Sequence, residues 1–144
     1  MKVVIVGGVA GGASAAARIR RLDEHAQIIM IERSGYVSYA NCGLPYYVGG
    51  VIKEQEELTL QTPESFWDRF RIDVRVRQEV TAIDPEGKTV TVRALDSGKS
   101  IRKPMTSCSS HLGQSRRFPR FPASAASVFS RCAPWRTLSA LGTL

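Results

Sequence analysis

The chain has 144 residues, 43% of them hydrophobic and 23% charged, which is enough for one domain with a buried core. Its formal charge of +7 is uneven: residues 1–103 hold fifteen Lys and Arg against thirteen Asp and Glu, whereas residues 104–144 hold five Arg and no Lys, Asp or Glu. The basic excess belongs to the tail and argues poorly for a nucleic-acid surface, and no run approaches the roughly eighteen apolar residues of a membrane span.

Lys2–Val6 is a short β-branched run, as a buried parallel strand requires. Its start lacks the long apolar region and cleavage site of a secretory signal, so a cytoplasmic location is expected. Gly7, Gly8, Val9, Ala10, Gly11 and Gly12 then turn the chain into a helix expected to run to about Leu22. Ala13, Ala16 and Ala17 let that helix pack closely on a sheet. Gln27–Ile31 reads as a second strand, ending at Glu32.

This is a βαβ dinucleotide cradle. Glycines permit a tight turn and close backbone approach, and the helix N-terminus offers free N–H groups to a pyrophosphate. Glu32 lies twenty-five residues beyond Gly7, where an acid accepts hydrogen bonds from a ribose hydroxyl. An acid there favours a free 2′-hydroxyl, as in FAD or NAD rather than NADP. The glycine pattern is imperfect, because a G-x-G-x-x-G reading from Gly7 places Val9 second and Gly12 third. Strand, helix, second strand and terminal Glu together make it specific; the competing reading is a glycine-rich turn that binds nothing.

Cys42 follows ten residues after Glu32, within Ser-Tyr-Ala-Asn-Cys-Gly-Leu-Pro-Tyr-Tyr (38–47). A short helix is expected from about Asn41, stopped by Gly49 and Gly50. A thiol in the first turn of a helix has its thiolate stabilised by the partial positive charge there. The alternative is a small buried hydrophobe, and the nucleotide unit just before it favours the redox thiol. Cys108 and Cys132 form no Cys-x-x-Cys pair with it, and His25 and His111 lack ligand spacing, so no metal site is expected.

Thr62, Pro63 and Glu64 signal a helix start, with Phe66, Trp67 and Phe70 expected in the core. From Asp73 to Ile83, alternating Val74, Val76, Val80 and Ile83 predict one strand. A turn at 84–87 and a second strand over Lys88–Ala94 complete a small meander.

Residues 1–103 resemble the N-terminal part of the single-cysteine flavoprotein disulfide reductases, closest to coenzyme A-disulfide reductase and the related NADH oxidases. The resemblance rests on residues 3–14, Arg-Ile-Arg-Arg-Leu-Asp (18–23), Asn-Cys-Gly-Leu-Pro-Tyr within 38–46, and Thr-Pro-Glu-Ser-Phe (62–66). It implies a Rossmann-like α/β domain for FAD, here incomplete, and electrons passing from NADH or NADPH through FAD to a mixed disulfide of Cys42 with coenzyme A. Gly7, Val9, Ala10, Gly11, Gly12, Glu32, Arg33 and the backbone at Val80 would hold the cofactor. Ser38 and Asn41 would contact coenzyme A near the sulfur, and Ser14, Arg18 and Arg21 its more distant part. Spacings of four and seven independently put Ser14, Arg18 and Arg21 on one helix face, suited to phosphates, although a solvated basic face fits the same pattern. Oxidase, peroxidase or polysulfide-reducing chemistry remains open, as does a non-catalytic nucleotide-binding module or a gene remnant. Full-length relatives imply a homodimer, and neither nucleic acid nor membrane is an expected partner.

Residues 104–144 contain eight Ser and four Pro but no Ile, Tyr, Asn, Lys, Asp or Glu, and show no helical or strand period. The expectation is an irregular tail produced by a shifted reading frame. One permitted alternate frame from residue 105 begins Y-D-K-L-L-L-S-P-G-A, resembling the family's next strand and flavin-side turn. A chain so interrupted is expected not to turn over.

Overall fold

The computed structural model describes residues 1–111, which form one unit of residues 1–40 and 59–111 and part of a second at residues 41–58. In the larger unit, β1 (Lys2–Val6), α1 (Ala10–Leu22) and β2 (Gln27–Ile31) fall where the sequence places them. The strands pair in parallel, Lys2 opposite Gln27 through Val6 opposite Ile31. Their apolar residues are buried on both faces, which is what a covered parallel sheet demands.

Alternation divides those residues between two cores. Val3, Ile5, Ile28 and Met30 face Ala16 of α1 and Phe66 of α3 (Pro63–Phe70). Val4, Val6, Ile29 and Ile31 face Val90, Val92 and Met105. The latter three come from the opposite layer, an antiparallel sheet of β4 (Gln78–Asp84), β5 (Thr89–Ala94) and β6 (Ser100–Pro104), with Met105 directly after it. The parallel sheet has the order β3-β2-β1-β7, with β3 at Ile72–Arg75 and β7 at Ser107–Ser110. Among the described residues no helix is long and apolar enough to cross a membrane.

The structure departs from the sequence reading in four places. The single strand expected over 73–83 is two strands in different sheets, parted at Val76 and Arg77. Arg77 adopts a left-handed conformation (φ 56°), donates its N–H to the Ser34 carbonyl and pairs its guanidinium with Asp96. That reversal lets β3 stay beside β2 while β4 crosses to the other layer.

Order also runs past residue 104. Thr106 donates to the Lys2 carbonyl, and β7 pairs in parallel with β1, Val3 opposite Ser107 through Val6 opposite Ser110. Backbone pairing, blind to side-chain polarity, orders Ser-Cys-Ser-Ser there. The rest of the expected irregular tail, residues 112–144, lies outside the described residues.

Trp67 is 51% exposed, not core. Phe66 and Phe70 share a helix face at a spacing of four, and Trp67 points about 100° away from Phe66. The Arg71 guanidinium lies over its ring, 5.5 Å from the centroid. The α3 start is as expected: Thr62 and Ser65 form a reciprocal capping box, and hydrogen bonds from its own backbone and from Thr62 hold the Glu64 carboxyl below its ordinary range.

In the 41–58 segment, the expected helix near Asn41 begins as a 3-10 turn (Asn41–Gly43) and becomes α2 at Leu44–Val48. An α-helix starting at Asn41 would need an N–H from residue 45, and Pro45 has none. Gly49 caps α2 and Gly50 takes φ 74° beyond it.

Replacing Phe66 with Ala is expected to cost about 3–5 kcal/mol through the cavity left in the core, and Trp67→Ala no more than about 1 kcal/mol. Urea denaturation of the two variants checks this; similar losses would contradict the assigned helix face.

Candidate functional site

The cradle is built at the carboxyl ends of β1 and β2. Gly7 leaves β1 with φ 94°, a conformation that L side chains resist. A Cβ on Gly12 would overlap the Gly7 carbonyl oxygen, so α1 approaches β1 as only glycine allows. Val9 is the helix N-cap and makes no side-chain cap bond. The first N–H groups of α1, from Ala10, Gly11 and Gly12, have no intrahelical acceptor and are aimed at the turn.

Glu32 closes the cradle. It is 9% exposed, its Oε2 accepts the Gly8 N–H at 2.7 Å, and its Oε1 accepts the Ser34 N–H at 2.8 Å. A carboxylate offers about four lone-pair sites, so acceptor capacity remains for a ribose hydroxyl. Gly8 is also closely packed, though less so than Gly12: a Cβ there would stand 2.7 Å from Val37 Cγ2 and 3.0 Å from Met30 Sδ.

The rim beside Glu32 gathers further expected residues. Gln78 donates to the Glu32 carbonyl at 3.1 Å, which brings the start of β4 alongside. Glu79 then pairs with Arg33 at 3.8 Å and with Arg93 at 2.6 Å. Val80 follows, half-buried, at the edge of a bulge between Val80 and Ala82. Gly7, Val9, Ala10, Gly11, Gly12, Glu32, Arg33 and Val80 therefore all lie in the larger unit, on or near this edge.

Ser38 reaches the same edge by another route. Its N–H donates to the Gly8 carbonyl at 2.7 Å and its carbonyl accepts from Leu60. Both bonds hold it at φ 51°, a left-handed conformation that costs a serine about 1–3 kcal/mol. Such strain persists only where the surroundings fix it.

On α1, Ser14, Arg18 and Arg21 are all exposed, as their spacing requires of one face. Among the described residues no hydrogen bond or ion pair occupies either guanidinium. The neighbouring Arg20 is spent differently, donating to the Phe70 carbonyl at 2.8 Å and the Arg71 carbonyl at 3.0 Å, and so tying α1 to the end of α3.

Asn41 and Cys42 lie in the 41–58 segment, both exposed. Cys42 stands in the 3-10 turn that runs directly into α2, not in the first turn of the α-helix itself. Cys108 is half-buried, and burial pushes its thiol above the ordinary value, which leaves less reactive thiolate. Cys132 lies outside the described residues. Among the described residues no three His, Cys, Asp or Glu side chains group to hold a metal ion.

Sequence reading placed Gly8 in the turn without its bond to Glu32, and missed the parts of Ser34 and His111. The doubled glycine at 7–8 was the available signal for the first. Nothing local marks Ser34, whose part is played by its backbone N–H. His111 sits beside Gly7 and Gly11 only because β7 pairs with β1.

Residues 1–109 match the family described as pyridine nucleotide-disulphide oxidoreductase. Over 91 residues the chain is 47% identical to the coenzyme A disulfide reductase of Staphylococcus epidermidis, a match covering 63% of this chain and 21% of that protein. The solved structure of reduced Bacillus anthracis CoADR-RHD resembles it with a TM-score of 0.80 at 47% identity, over 84% of this chain and 22% of that one. The water-forming NADH oxidase from Lactobacillus brevis gives 0.77 at 29% identity, over 85% of this chain and 27% of that one. The chain spans about a fifth of the length of the curated relatives it matches.

Glu32→Ala leaves the Gly8 and Ser34 N–H groups without their acceptor, and a loss of about 1–3 kcal/mol is expected for the buried one. Glu32→Gln keeps an acceptor oxygen and should fall between. Denaturation midpoints order the three proteins; an alanine variant as stable as the parent would remove Glu32 from its bracing role.

Proposed function

The chain belongs to the pyridine nucleotide-disulphide oxidoreductase family, and we propose that it carries the FAD cradle and the redox thiol of a reductase acting on coenzyme A disulfide. The observation that carries this reading is the glycine turn, pressed against α1 beyond what any Cβ permits and closed by a buried Glu32. The residues fit the adenosine diphosphate half of FAD. Orphan N–H groups meet a pyrophosphate, Glu32 retains acceptor capacity for a ribose, and β4 presents backbone at Val80 beside it. When bound, FAD would relay electrons from NADH or NADPH to a disulfide between Cys42 and coenzyme A.

The remaining roles belong to the chain's own side chains. Cys42 as thiolate attacks one sulfur of coenzyme A disulfide, forming a protein–coenzyme A disulfide and releasing one coenzyme A thiol. Its exposure leaves that attack unobstructed by its own burial. Arg18 and Arg21, with Ser14, offer charged and hydroxyl donors for phosphates. Ser38 and Asn41 stand for the contacts nearer the sulfur. The complete enzyme on this reading is a cytoplasmic homodimer.

The same reading assigns the residues after about Lys103 to a shifted frame. In support, β7 places Ser-Cys-Ser-Ser in a parallel sheet, a setting that selects apolar side chains, whereas the alternate frame has three leucines in the strand's last three places. The DNA across codons 100–144 tests it: synonymous bases that forbid that frame would remove the assignment.

Incubating the purified chain with coenzyme A disulfide is expected to add one coenzyme A to Cys42, read by mass spectrometry of the intact protein and its peptides. Cys42→Ser abolishes the adduct. Replacing Arg18 and Arg21 with Ala slows it about tenfold, as loss of charge-assisted bonds to phosphate implies, and leaves the reaction with cystine unchanged. Labelling of Cys42 no faster with coenzyme A disulfide than with cystine would sink the substrate assignment.

A further inference from the structure

The room that glycine opens in this turn is not empty. His111 follows β7, and its N–H donates to the Val6 carbonyl at 2.8 Å, extending the pairing with β1 by one residue. That bond carries the His111 backbone across the end of β1, where a Cβ on Gly7 would overlap the His111 carbonyl oxygen. Its imidazole then turns onto the first turn of α1. A Cβ built on Gly11 would stand 2.9 Å from Nδ1 and 3.3 Å from Cγ of the ring. On the far side, Nε2 shares a hydrogen bond of 2.9 Å with the Ser109 hydroxyl.

We infer that His111 is a gate residue of the cradle: its imidazole lies on the face of Gly11 that a nucleotide pyrophosphate must approach, and the ring has to swing away before the phosphates reach the α1 N–H groups. The inference rests on the dinucleotide reading proposed above. Three features support a gate over a spectator. The ring contacts a residue whose lack of a side chain is what admits a ligand. It is exposed, so a path outward exists. It is held in place by one side-chain bond, to Ser109, so opening breaks little else among the described contacts. A protein whose binding-competent form is a minor fraction binds its ligand more weakly by that fraction, so removing the ring should tighten binding by the inverse.

Isothermal titration of the full chain with ADP, which presents the adenosine and pyrophosphate alone, tests this on three proteins. His111→Ala should bind ADP about tenfold tighter than the parent, the effect of a cradle closed roughly nine-tenths of the time. Ser109→Ala keeps the imidazole but removes its tether, and should tighten binding by a smaller factor. This variant also guards against a fold defect at position 111. Equal affinities in all three overturn the gate and leave the cradle standing. Weaker binding by His111→Ala makes the ring a phosphate contact and likewise overturns it. ADP binding to none of the three, with native-like circular dichroism, overturns the dinucleotide reading and the gate with it.

Discussion

The approach of α1 to the end of β1 is the constraint on which the rest of this unit depends. At Gly12 the helix comes so close to the Gly7 carbonyl that no other residue fits. The closeness aims the first N–H groups of the helix across the strand end, and it seats Ala16 fully buried on Val3 and Ile5. It also forces the chain through Gly7 at positive φ. The turn made this way has backbone donors that neither strand nor helix can satisfy. Glu32 takes one of them, and its position at the end of β2 follows from the parallel register of β2 on β1. Sheet register, helix packing and the buried carboxylate are thus one arrangement.

The second layer exists because β1 and β2 are apolar on both faces. Helices cover one face, and Val90, Val92 and Met105 cover the other. Reaching that other face requires the chain to leave the parallel sheet after β3, which it does at the left-handed Arg77. Pairing with Asp96 holds the Arg77 guanidinium charged, its proton bound more tightly than in an ordinary arginine. The crossing lays the start of β4 against Glu32 and puts Glu79 between Arg33 and Arg93. Arg33 and Arg93 are largely exposed, so these pairs add little stability. Their effect is positional, fixing which part of β4 borders the cradle.

The first forty residues were legible because three signals agree there: β-branched runs, glycine punctuation and an alanine-rich helix face. The α3 start was equally plain, since Thr62, Pro63 and Ser65 act through neighbours in sequence. The sheet switch was not. Alternation from Val74 to Ile83 continues straight through it, and the reversal uses an arginine where a glycine would have announced it. Trp67 leaves the core because it lies about 100° around the helix from Phe66, an angle that aromatic content alone does not carry. Glu32, whose carboxylate accepts the Gly8 and Ser34 N–H groups, could be named in advance from its place at the end of β2. The part Ser34 plays through its backbone could not, because any residue supplies an N–H. Ser38 is singled out only by the family resemblance, and its left-handed backbone between Gly8 and Leu60 has no local signal.

Strand β7 shows the same limit in its strongest form. Nothing in Ser-Cys-Ser-Ser favours a strand beside β1, and no apolar period runs through it. Its order comes from the other side of the ladder: β1 presents carbonyls and N–H groups that need partners in a dry sheet, and any chain brought alongside supplies them. Met105, 9% exposed and packed against Val4 and Val6, brings it there, helped by bonds from Met105 to the Lys88 carbonyl and from Thr106 to that of Lys2. Of the strand's own side chains, only Cys108 packs into that core. A strand held this way lends the sheet hydrogen bonds but little apolar burial. It therefore depends on β1 far more than β1 depends on it, and His111, directly after β7, is placed over the glycine turn by β1's register and not by its own sequence.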